Sequence, residues 1–145
     1  MCQALYASHN ELLYRCEPTS MLDIAELIGE PPHRIESLTS ADGVFVFWFG
    51  TKPGTRVNRT ATTKLLVTTG LNARHVPLLR NNVVISSHTS AGQLAGLSDE
   101  QLDHLVHATP TGHQAWILDH RLRRDLRAQR AQAHQRTAAL LRPHH

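Results

Sequence analysis

Val44-Phe45-Val46-Phe47-Trp48-Phe49-Gly50-Thr51-Lys52-Pro53-Gly54-Thr55-Arg56-Val57-Asn58 is the stretch that decides how this chain is built. Its first six residues are all β-branched or aromatic. Val44, Val46 and Trp48 fall on one alternating face, and Phe45, Phe47 and Phe49 on the other. A strand that is apolar on both faces needs cover on both, which predicts a central strand with Phe47 and Trp48 buried on opposite sides. Two glycines, a proline and two cations then form a loop over residues 50–57. Asn58 is a favoured N-cap type, and the helix it opens runs to residue 69, where Gly70 stops it.

Upstream, Thr19 or Ser20 caps a predicted helix over residues 21–28, with Leu22, Ala25 and Ile28 on one face and Gly29 behind it. Pro31-Pro32 imposes extended chain. Residues 34–39 read as a strand, and the turn at 40–43 makes them the hairpin partner of 44–49. Residues 1–18 signal little: 10–16 fit a short helix or a short strand, ended by Pro18. Downstream, a third strand falls at 83–87, and the small residues of 89–96 read as a surface loop. Ser98-Asp99-Glu100-Gln101 matches a capping box that opens a helix to residue 108, with Leu102, Leu105 and Val106 inward. Beyond the joint Thr109-Pro110-Thr111-Gly112, residues 113–141 hold no glycine or proline. They predict a single helix up to about 40 Å long. The expected fold is α+β: a small, mostly antiparallel sheet of about three strands covered by helices, with a long C-terminal helix. Residues 1–110 form the expected α+β domain and 111–145 a basic helical extension.

A length of 145 residues, 41% of them hydrophobic, allows one modest core. No apolar run approaches the roughly 18 residues of a membrane span. The first residues lack the basic start and long apolar region of a signal peptide, so a cytoplasmic protein with no membrane partner is expected. Cys2 and Cys16 are too few and too far apart to suggest a disulfide framework or a zinc knuckle. The net charge of +3 conceals a division. From residue 113 onward, seven arginines face Asp119 and Asp125 for a net +5, while residues 1–112 carry −2. A near-neutral body with a basic tail points to an acidic partner or a solvated helix.

Ile35-Glu36-Ser37-Leu38, Asp42-Gly43-Val44, Val57-Asn58-Arg59-Thr60-Ala61-Thr62, Val83-Val84-Ile85 and Gly96-Leu97-Ser98-Asp99-Glu100-Gln101-Leu102 follow one another in this order. In that order of features, residues 19–107 resemble an uncharacterised domain-of-unknown-function family common in phages and plasmids, including actinobacterial ones. The resemblance implies a small α+β fold and a mobile-element origin, and it carries no activity. Phe49-Gly50-Thr51-Lys52-Pro53-Gly54 departs from the acidic turn of that family, and the C-terminal helix lies outside the likeness.

Two stretches are candidates for binding. Lys52, Arg56, Asn58 and Arg59 gather where a helix N-terminus presents unpaired N–H groups, a combination able to hold a phosphate or carboxylate. The loop is no P-loop, and the competing reading is that Gly50 and Gly54 turn the chain while the cations are solvated. In the last helix, His120, Arg123, Arg124, Arg127, Arg130 and His134 recur at i, i+3, i+4 and make one basic stripe. Leu118, Leu122 and Leu126 make an apolar stripe at i, i+4. The helix therefore suits either a protein partner or second copy on its leucines, or DNA or RNA phosphates on its arginines. The aromatic interleaving of single-strand binders is missing from that reading. His104, His107, His113 and His120 complete no metal-ligand set, and a catalytic role for Cys2 would need a larger layered fold. No cofactor motif accompanies them. The sequence reads as a non-enzymatic accessory protein of a mobile element or its host, acting on a protein partner through the C-terminal helix. Nucleic acid binding is the alternative, and a small enzyme with an anion pocket at 50–59 stands third.

Overall fold

The computed structural model describes residues 2–52 and 55–141. Six strands form one antiparallel sheet: β1 (Ala4–Ala7), β2 (Leu13–Cys16), β3 (Ile35–Thr39), β4 (Val46–Gly50), β5 (Val83–His88) and β6 (Leu94–Ala95). The order β2-β1-β5-β4-β3 puts β5 in the middle, and β6 pairs with the far end of β5. The described residues also form four α-helices: α1 (Met21–Ile28), α2 (Arg59–Thr69), α3 (Asp99–His107) and α4 (Gly112–Leu140).

The expected sheet of about three strands is therefore corrected to six. β1 gave no signal, and β2 lies in the stretch 10–16 that read equally as helix or strand, because four residues each give no readable period. What makes them strands is pairing: Leu5 opposes both Arg15 and Ile85. The turn between them places Glu11 at φ 69°, a conformation the residue type does not announce. β6 lies inside the expected loop, where Thr89 and Gly92 close a turn that brings Ala95 opposite Ser87. β4 is an interior strand flanked by β3 and β5, and the middle position belongs to β5, whose Val83, Val84, Ile85 and Ser86 are all buried.

The two faces of the sheet carry separate cores. On one, Phe45, Phe47, Val83 and Ile85 meet Ala61, Leu65 and Leu66 of α2, Leu102 and Leu105 of α3 and Leu118 of α4. On the other, Ala4 and Val84 meet Ile24 and Ile28 of α1, with Trp48 packed at the edge. Phe47 is fully buried and Trp48 half-buried on opposite faces, the indole Nε1 donating to Ser86 Oγ at 2.8 Å. In α1 the buried residues are Ile24, Ala25 and Ile28, so Ala25 and Ile28 face the core as expected while Ile24 takes the place expected of Leu22, which is exposed. Val106 of α3 is likewise exposed.

Asn58 joins these layers. Its Oδ1 accepts from the Ala61 N–H at 3.0 Å and caps α2. Its Nδ2 donates to the carbonyls of Ala7, Ser8 and Asn81, tying the cap to the end of β1 and the entry to β5. Lys64, also buried, donates from Nζ to the Val106 and Ala108 carbonyls at the C-terminus of α3, and burial holds its pKa below the ordinary lysine value.

Candidate nucleic-acid interface

α4 divides along its length and around its circumference. Thr111 caps it, accepting from the Gln114 N–H at 3.3 Å. Leu118 is buried in the main core, with Ile117 and Leu122 packed against it, and Leu126 is half-buried. Polar anchors follow the same side. Arg80 holds Asp125 through two N–H donors, at 3.1 and 2.6 Å, and Arg59 pairs with Asp119. Arg121 donates to the carbonyls of Ala73 and Val76, both at 2.8 Å, and burial lowers its pKa. Gln129 Nε2 reaches the Thr55 carbonyl at 2.7 Å. From residue 130 to 141 every residue is exposed, a projecting length of about 16–18 Å at the helical rise.

Helical periodicity puts the predicted basic stripe opposite these anchors. His120, Arg123, Arg124, Arg127, Arg130 and His134 are all exposed. Both acidic residues of the helix are held by arginines of the body, so the outward face is left to cations. The leucine stripe has the opposite fate: Leu118 is buried in the core, and Leu122 and Leu126 are half-buried on the side of the helix that faces the body.

The predicted anion-binding group does not converge. Asn58 is buried, with both side-chain heteroatoms bonded as above. Arg59 is paired to Asp119. Lys52 and Arg56 are exposed, and the Lys52 backbone N–H donates to Glu30 Oε1 at 2.9 Å. The groove beside the start of α2 is lined by Glu11, Asp119 and Asp125 as well as Arg56, Arg59 and Arg123. Three carboxylates among three guanidiniums do not select an anion. Gly50 is a strand residue whose missing side chain leaves room for the Glu30 carboxylate; Pro53 and Gly54 lie outside the described residues.

Three residues of this surface are not among those singled out from the sequence. Trp116, in the second turn of α4, is 67% exposed, and its ring stacks on His120 at a centroid distance of 6.1 Å and an interplanar angle of 15°. Arg74, from the loop after α2, and Arg121 join them around one groove, with Ile117 and Arg124 completing it. The spacing of Trp116 from His120, i to i+4, was available in the sequence; the approach of Arg74 depends on the tertiary fold.

His104 lies flat on Phe45, and His107 sits 3.2 Å from Asp103. Among the described residues no group of three or more His, Cys, Asp or Glu side chains is placed to hold a metal ion, and no helix is long and apolar enough to cross a membrane. Compared with protein-family models, curated proteins and solved structures, the chain matches none. The likeness over residues 19–107 thus rests on the residues quoted for it.

Proposed function

We propose that the protein is a non-enzymatic, cytosolic accessory protein that binds nucleic acid phosphates along the exposed face of α4. One observation carries this: Leu118, Leu122 and both aspartates of the helix turn to the body, and His120, Arg123, Arg124, Arg127, Arg130 and His134 turn to solvent as an unopposed stripe. Cations at that spacing meet successive phosphates without reading bases, so the binding is insensitive to sequence. The mobile-element origin implied by the resemblance gives such a protein a ready ligand. A protein contact through α4 has one observation in its favour, the exposed Leu140 and Leu141 at its projecting end. That contact would use a surface different from Leu118, Leu122 and Leu126.

Mobility shift of a generic duplex at several salt concentrations tests the reading. The logarithm of the association constant should fall with the logarithm of salt by about 0.9 per phosphate neutralised. Changing Arg123, Arg124, Arg127 and Arg130 to Gln should flatten that slope and weaken all sequences alike. Absence of any shift at low salt, where non-specific binding is strongest, refutes it.

A further inference from the structure

We infer that the groove between α4 and the loop after α2 is a stacking site for an unpaired nucleobase, which makes single strands the preferred ligand of the basic face. The inference rests on the nucleic-acid reading above and specifies its substrate class. Trp116 is one of two tryptophans in the chain, and it keeps two thirds of its surface in water. Its ring lies nearly parallel to the His120 imidazole one helical turn on. A flat aromatic surface held at the helix face offers a π-platform that any base can use.

Charge around the platform is of one sign. The groove is lined by Arg74, Trp116, Ile117, His120, Arg121 and Arg124, with no carboxylate among them. Arg121 bonds the carbonyls of Ala73 and Val76, and this fixes the loop that carries Arg74 against α4. Asn72 Oδ1 accepts from the Arg74 N–H at 3.1 Å and shapes the same loop. Arg74 from the loop and Arg124 from α4 line the same groove as the indole, within which the phosphates next to a stacked base would lie. The groove beside α2 makes the contrast, since it has similar cations but three carboxylates and no aromatic ring. A duplex hides its base faces in the helical stack and can use only the cations. A single strand can use both.

The test compares affinities of the full chain for oligo(dT), oligo(U), an abasic strand of equal length and a duplex, by fluorescence anisotropy at one low salt concentration. The abasic strand presents the phosphates without the bases. The expected result is that oligo(dT) or oligo(U) binds more tightly than the abasic strand. Trp116→Ala should erase most of that ratio, a change of about 5- to 150-fold, whereas Trp116→Phe should retain much of it. Trp116 is exposed, so neither substitution disturbs the core. Comparing oligo(dU) with oligo(U), which differ only in the 2′-hydroxyl, identifies DNA or RNA as the source. A base-containing to abasic ratio near one in the unsubstituted protein, or one that survives Trp116→Ala, overturns the stacking site. If the arginine-to-glutamine series still weakens every probe in that case, the phosphate reading stands without it. No binding to any probe at low salt overturns both.

Discussion

Replacing Asn58 with alanine should cost the protein about 2–5 kcal/mol, well beyond what a helix cap is worth by itself. Loss of an N-cap side chain typically costs about 0.5–2 kcal/mol. Asn58 is 1% exposed, however, and its Nδ2 donates to Ala7, Ser8 and Asn81 carbonyls at 3.0, 3.3 and 2.8 Å. Removing that donor strands buried acceptors, and each buried polar group left without a partner costs about 1–3 kcal/mol. Against a total stability of about 5–15 kcal/mol for a domain of this size, the loss is large. Urea denaturation followed by circular dichroism gives the cost as a midpoint shift at constant slope. Asn58→Asp separates the two contributions. It retains an oxygen for the Ala61 N–H but points a second oxygen at three carbonyls. The aspartate variant should therefore be no more stable than the alanine variant. An aspartate variant as stable as the parent would show that Asn58 is a cap and nothing more, and would refute the joining role.

Phe47→Ala removes a fully buried ring from the main core and should cost about 3–5 kcal/mol, with an unchanged denaturation midpoint counting against the two-faced strand. Burial pushes the Cys16 thiol from 9.0 up to about 11, with the neighbouring Cys2 adding to the shift. Because the folded value is the higher one, the stability this thiol contributes is complete below pH 9.0 and is lost as pH rises through about 11. Cys16→Ser should flatten that alkaline decline in stability; parent and variant declining in parallel would exclude the thiol as its cause.

What the sequence determined by itself is local. Asn58 with Gly70, Ser20 with Gly29 and the Ser98–Gln101 box each place a donor, an acceptor or a left-handed turn within a few residues of the helix they bound. These helices consequently fall where composition puts them. The doubly apolar run at 44–49 likewise specified a strand covered on both faces, because alternation is written in adjacent residues. The basic stripe of α4 was legible for the same reason: helical spacing alone puts those side chains on one side. Tertiary structure decided the rest. Ala4-Leu5-Tyr6-Ala7 becomes a strand through hydrogen bonds to β2 and β5, the latter nearly eighty residues away, and no four-residue pattern encodes a distant partner. Leu118, Leu122 and Leu126 read equally well as a seam for another helix or as the inner face of this one. Only the body that receives Leu118, together with Arg59 and Arg80 reaching the helix aspartates, turns the leucines inward and the arginines outward. Arg74 comes beside Trp116 in the same way, through the hold of Arg121 on two loop carbonyls, a contact spanning more than forty residues of chain.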